Sequence, residues 1–340
     1  MRSLTLAAAA TAAITALFAT QSSAADINWR YFGAVPVAHD VGKIINAGFD
    51  RIEERTGGRM AIEYLFYGET PYKTGEGLTL LRDGLVDLTE WLPAYNAGSY
   101  PLLTGPELPF AAASYVPTTE LHDQSRRGWE NAAIQAYETE LLGAHNAMRV
   151  TRLFYEPMNL WFKGDFDGYQ DIAGKKIRTI SPEQAEFVSA MGGTPVAIPG
   201  PEVYTSLQRG LVDGTVIGSS AIESFKLLEV INTGYLANVQ LLSTGMLASQ
   251  TSMNALPEDV KAIFLEEMAA VQAEARAFIA DQEGRDIAKF EAGGMKIVRP
   301  SETDYQAMRQ VARDVVWPAW AGRAGERSTQ FLEAVTGVTQ

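Results

Sequence analysis

A tetrapeptide that recurs in the same place within the same order of elements constrains this chain more than any other feature. Gly84-Leu85-Val86-Asp87 returns as Gly210-Leu211-Val212-Asp213. Ahead of the first copy, Val41, Ile44, Ile45, Phe49 and Ile52 mark one face of a helix over residues 40–56. Gly57-Gly58 stops that helix, a strand runs from Met60 to Phe66, and a Gly/Pro loop leads to a short helix at 78–82. Ahead of the second copy come a strand at 175–179 and a helix capped by Ser181, with Pro182 first and Gln184 three residues beyond the cap. Gly192-Gly193 then ends that helix, and a strand at 195–198 and a helix at 202–209 follow. A four-residue match alone carries little weight. Set in matching element orders, it predicts two similar α/β lobes, each with its tetrapeptide opening a strand.

The remaining segments fit around two lobes. Residues 27–32 alternate as a first strand, and 295–298 form a late one before helices from Glu302 onward. Between 257 and 293 there is no proline after Pro257 and one interior glycine, Gly284. Val260, Ile263, Phe264, Met268, Val271, Ala275 and Phe278 recur there at helical spacing. One helix, or two nearly continuous ones, would reach on the order of 45–50 Å, enough to brace both lobes. The expected division is 25–148 plus about 238–256 for lobe I, and 149–237 plus part of 295–340 for lobe II.

The N-terminus carries an address. Arg2, an apolar run over 4–19, and Ser22 and Ala24 predict a secretory signal over 1–24, cut after Ala24. No later run is long and apolar enough to cross a bilayer, so the mature chain is expected to be periplasmic, soluble and monomeric. With no cysteine, disulfides and thiolate metal sites are excluded. A net charge of −13 argues against a nucleic-acid partner.

Catalytic and metal signatures find no support. His39, His122 and His145 are the three histidines, and no HxxxH or HExxH spacing or GxSxG elbow occurs. No cofactor and no metal are therefore expected, and no enzyme activity. Arg178, at the C-terminal end of a strand in an open α/β sheet, is instead placed to catch an anion. An exported hydrolase working in an interlobe cleft is the competing reading, as is a binding protein serving another importer or a chemoreceptor.

The segments Glu53 through Arg59, Leu108-Pro109-Phe110, Asp171 through Arg178, Gly192 through Val196, Glu202 through Gly214 and Phe225 through Val230 resemble, in order, the DctP-type solute-binding proteins of TRAP transporters. The resemblance covers essentially the whole mature chain. It implies a two-lobed periplasmic binding protein fold, each lobe a mixed sheet flanked by helices, with a long helix spanning both. It further implies a small organic anion held in the cleft and delivered to the membrane subunits of the transporter. In the family, the arginine matching Arg178 forms a two-pronged salt bridge with the ligand carboxylate, a geometry that lysine cannot supply.

Two departures from the family pattern bear on the ligand. The second arginine that many members carry about twenty residues earlier is missing from Glu156-Pro157-Met158-Asn159-Leu160-Trp161-Phe162. The amide common after the Asp-Gly turn is replaced by the Thr215-Val216-Ile217 run, and an aromatic–acid metal pair is absent. The expected ligand is a monocarboxylate or sulfonate with an apolar or aromatic body. Besides Arg178, the candidate contacts are Phe32, Glu69, Trp91, Tyr95, Asn159, Trp161, Ile217 and Ser219. Each of the aromatics is of a kind more often found in a core than in a ligand wall, with Trp91 and Tyr95 the better placed because they follow the third strand.

Overall fold

A computed structural model describes residues 25–337, so the expected signal segment at 1–24 lies outside the described residues. The strands, in chain order, are β1 (Ile27–Gly33), β2 (Met60–Phe66), β3 (Leu88–Glu90), β4 (Ala147–Arg149), β5 (Leu153–Phe154), β6 (Met158–Phe162) and β7 (Lys176–Thr179). They continue as β8 (Thr194–Ala197), β9 (Gly214–Ile217), β10 (Thr233–Gln240), β11 (Ser243–Thr244), β12 (Met246–Ser249) and β13 (Lys296–Val298). One sheet has the order β2-β1-β3-β12-β4 and the other β13-β10-β6-β9-β7-β8. Both are mixed, with parallel β1–β2, β1–β3, β7–β8 and β7–β9 pairs and antiparallel neighbours where the chain crosses between lobes. Two of the crossings run through β5 and β11, which pair antiparallel as a small ribbon between the sheets.

The repeated tetrapeptide does the same structural work in each lobe, although it precedes the strand instead of opening it. Gly84 (φ 68°) and Gly210 (φ 70°) lie in the left-handed region, which ends the preceding helix. Leu85 N then donates to Leu80 O and Leu211 N to Ser206 O, both at 2.9 Å. Val86 and Val212 turn into the core while Leu85 and Leu211 stay exposed. The aspartates clasp the neighbouring strand. Asp87 Oδ2 accepts from Arg30 N at 3.0 Å, and Asp213 Oδ2 from Lys176 N at 2.8 Å. The strands begin one residue after each aspartate, at Leu88 and Gly214, because the left-handed turn and the clasp consume the four residues.

The long helix is unbroken over Glu258–Ala292, 35 residues or about 52 Å. Val260, Phe264, Met268, Val271, Ala275 and Ile279 enter the core of the first lobe, whereas Ile287 and Phe290 enter that of the second. Glu267 fastens it to the first helix, Asp40–Arg55, through Arg51 (2.6 Å) and Arg55 (2.7 Å). The C-terminal helices hold both halves. Trp317 Nε1 donates to Pro109 O (3.0 Å) and Trp320 Nε1 to Pro101 O (2.7 Å), while Arg323 pairs with Glu183 of the second lobe's Pro182–Ala190 helix at 2.8 Å. No helix among the described residues is long and apolar enough to cross a membrane.

Candidate functional site: the interlobe cleft

The strand ends of the two sheets face each other across a cleft with about 750 Å³ of empty volume, part of it continuous with solvent. Its walls come from the loop after β1 (Ala34 to Pro36, and His39), from Leu92 and Tyr95 after β3, and from the Tyr155–Glu156–Met158 crossing. The second lobe supplies Arg178 on β7, Ile180 just beyond it, Ile217 at the end of β9, and Gly218, Ser220, Ala221, Ser224 and Phe225 after it.

Arg178 lies on β7 between β8 and β9, opposite Val196 and Thr215. Its Nε donates to Ile198 O at 2.9 Å and its Nη1 to Val216 O at 3.3 Å, so carbonyls just past β8 and within β9 fix the guanidinium plane. The side chain is 2% exposed, and among the described residues it has no carboxylate within 4 Å. Burial pushes its pKa down to about 10, with Tyr95 acting in the opposite direction. A buried cation held only by neutral acceptors is ready to receive an anion.

Glu156 borders the same cavity from the segment between β5 and β6. Its Oε1 accepts from Ser220 N at 2.8 Å and from Ser220 Oγ, while its buried Oε2 has no hydrogen-bond partner. A Cβ at Gly218 would crowd this carboxylate, at 2.5 Å from Oε1. His39 caps the Asp40–Arg55 helix, its Nδ1 accepting from Val41 N at 3.3 Å, and also borders the cavity. Burial lowers its pKa, with Glu156 as the largest opposing influence.

Of the sequence-derived candidates, the cavity brings together Arg178, Tyr95 and Ile217. Tyr95 is 39% exposed, as a side chain reaching into a cleft would be. The other candidates are occupied elsewhere. Trp91 is buried, donating from Nε1 to Asn96 Oδ1 at 2.8 Å, with Arg149 over its ring. Trp161 donates to Ile217 O at 2.9 Å and packs edge-on against Phe290, on the core side of β6. Phe32 is enclosed by Tyr67 and Tyr72. Asn159 bridges Asn238 N (2.8 Å) and Glu283 Oε1 (3.0 Å), pinning the irregular stretch of β10 to the long helix. Ser219 Oγ donates to Asp286 Oδ2 at 2.9 Å, and Glu69 is exposed outside the cavity. Strand alternation explains Trp161 and Asn159, because neighbouring side chains point to opposite faces.

Sequence reasoning missed Glu156 as a cleft residue. The signal for Glu156 was present as a departure: an acidic residue in the stretch where the resemblance leads one to look for a second arginine.

Comparison with known proteins agrees with this architecture. Residues 39–321 match the family described as bacterial extracellular solute-binding protein, family 7 (DctP). A solute-binding protein of Albidiferax ferrireducens is 22% identical over 318 residues, covering 89% of this chain and 88% of that protein. The ectoine-binding periplasmic protein TeaA of Halomonas elongata is 27% identical over 260 residues, 73% of this chain and 71% of that protein. Among solved structures, DctP6 of Bordetella pertussis, an extracytoplasmic solute receptor binding pyroglutamic acid, superposes with a TM-score of 0.81 at 18% identity. That superposition covers 92% of this chain and 100% of that one. With its two lobes, its bracing helix and a family match over most of its length, the chain belongs to the DctP-type extracytoplasmic solute-binding proteins of TRAP transporters.

Proposed function

We propose that this protein captures a small organic monocarboxylate in the interlobe cleft, holds its carboxylate on Arg178, and delivers it to the membrane subunits of a TRAP transporter. The observation that carries the reading is Arg178 itself: buried, fixed by two carbonyls, and without an acidic partner among the described residues. Leu92, Met158, Ile217, Phe225 and Leu242 supply an apolar wall for the body of the ligand. A second carboxylate would lose its hydration against that wall without a cationic partner, at a cost of at least about 2 kcal/mol. Similar solved structures that bind pyroglutamic acid and malonate support an organic acid.

Thermal-shift screening of monoacids against succinate and malate tests the reading, because a ligand at a hundred times its Kd adds about 2.7 kcal/mol of stability. A response to monoacids alone is the expected result. Tight dicarboxylate binding with no monoacid response would overturn it. Closure of two lobes around the ligand should also reduce the radius of gyration in small-angle scattering.

A further inference from the structure

The two ends of the cavity carry opposite charge. At one end stands Arg178, with no acid within 4 Å among the described residues. At the other stands Glu156, 2% exposed, with Oε1 satisfied by Ser220 and Oε2 buried without a partner. Lys and Arg side chains do not pair with Glu156 among the described residues. The groups that act on this end are themselves largely acidic. Glu283 and Asp286 of the long helix both have their pKa raised, foremost by burial and further by Glu156; that of Asp286 is pushed up to about 6. His39 faces it from the first lobe, and burial favours the neutral form of that imidazole.

A buried carboxylate oxygen with neither donor nor countercharge is costly to keep, so its retention at a cavity wall points to a ligand group that completes it. The positions of the two ends follow from β9. Arg178 Nη1 reaches Val216 O, whereas Glu156 packs against Gly218, two residues farther along and just past the end of β9, so the backbone points they touch lie about 7 Å apart. A molecule whose anionic and cationic groups are a few bonds apart spans such a separation with one hydrogen bond at each end.

We propose that the cleft selects a monocarboxylate that also carries a cationic amine, its carboxylate on Arg178 and its ammonium on Glu156 Oε2. This rests on the reading of Arg178 as the anion anchor and narrows its ligand class from monoacids in general to zwitterionic amino acids with an apolar body. An amine-free acid of the same shape leaves the Glu156 oxygen unpaired and brings its negative charge toward Glu156, Glu283 and Asp286.

Titration calorimetry on the mature protein with matched pairs tests this without any variant. Suitable pairs are proline and cyclopentanecarboxylate, pipecolate and cyclohexanecarboxylate, leucine and 4-methylpentanoate, and phenylalanine and 3-phenylpropanoate. At least one amino acid is expected to bind, tenfold or more tighter than its amine-free partner. In Glu156→Gln, whose amide oxygen can still accept from Ser220, the affinity for that amino acid should fall at least tenfold. The affinity for its partner should rise in the same variant. Equal or tighter binding of the amine-free acids, or no amino acid binding at 10 mM, would overturn the proposal. Arg178→Ala separates the two readings. If amine-free acids bind the wild type tightly and are lost in Arg178→Ala, the anchor stands and the Glu156 assignment falls. If Arg178→Ala binds them undiminished, the anchor itself has failed.

Discussion

Replacing Arg178 by alanine should abolish ligand binding while leaving the fold in place, and the structure supplies the magnitudes. Truncating one member of a buried, hydrogen-bonded charge pair costs about 2–5 kcal/mol of binding, a loss of roughly 30-fold to several thousandfold. For the unliganded protein the terms oppose one another. Arg178→Ala removes two hydrogen bonds donated by a charged group, to Ile198 O and Val216 O, at about 1.5–3 kcal/mol each. It also removes a cation that burial holds at about 10 instead of 12.5, a relief on the order of 3 kcal/mol. The net change in stability is then a loss of about 0–3 kcal/mol, too small to unfold a typical domain. Arg178→Lys keeps the charge but presents a point donor in place of a planar fork, so it should recover little of the lost affinity. Calorimetry with a bound acid, alongside urea melts of the unliganded variants, measures both effects. Affinity in Arg178→Ala within threefold of wild type would refute the anchor, and a variant that fails to fold would refute the stability balance.

Three further perturbations test the scaffold. Asp213→Ala and Asp87→Ala each release a strand N–H from a carboxylate, and should cost about 1–3 kcal/mol in urea melts with ligand affinity within twofold. Gly245→Ala would drive a Cβ into Thr151 O where the chain returns between lobes, and should destabilise by about 2 kcal/mol or more on melting. Glu107, which accepts from Ser243 N at 2.8 Å, has its pKa pushed by burial to about 8. Between pH 4.5 and 8 the folded state therefore holds a proton that the unfolded state has lost, and stability falls as pH rises through that window. The linkage amounts to at most about 5 kcal/mol, and Glu107→Gln should remove it. Urea melts at pH 5 and pH 8.5 compare the two slopes; equal slopes would show that Glu107 ionises normally.

Local sequence determined the elements of this protein, and with them most of its architecture. Ser181 caps its helix through Gln184 N, and Pro182 opens it, because capping depends only on residues a few positions apart. The Glu258–Ala292 helix was legible from uninterrupted apolar spacing, and the two-lobe plan from a tetrapeptide that performs the same clasp twice. That Arg178 lines the cleft was legible because strand ends in an α/β sheet open onto the cleft between lobes. The tertiary structure decided which face of each strand meets the cleft, and so which candidates are wall and which are core. Trp161 and Asn159 lie on β6, yet their contacts go to Phe290, Asn238 and Glu283, across 79 residues or more of chain. No local rule carries that information, since a strand side chain's surroundings are set by the segment that packs over it. Glu156 belongs to the same class. Its isolation depends on Ser220, Gly218 and the long helix converging on one carboxylate, which is a property of the assembled lobes alone.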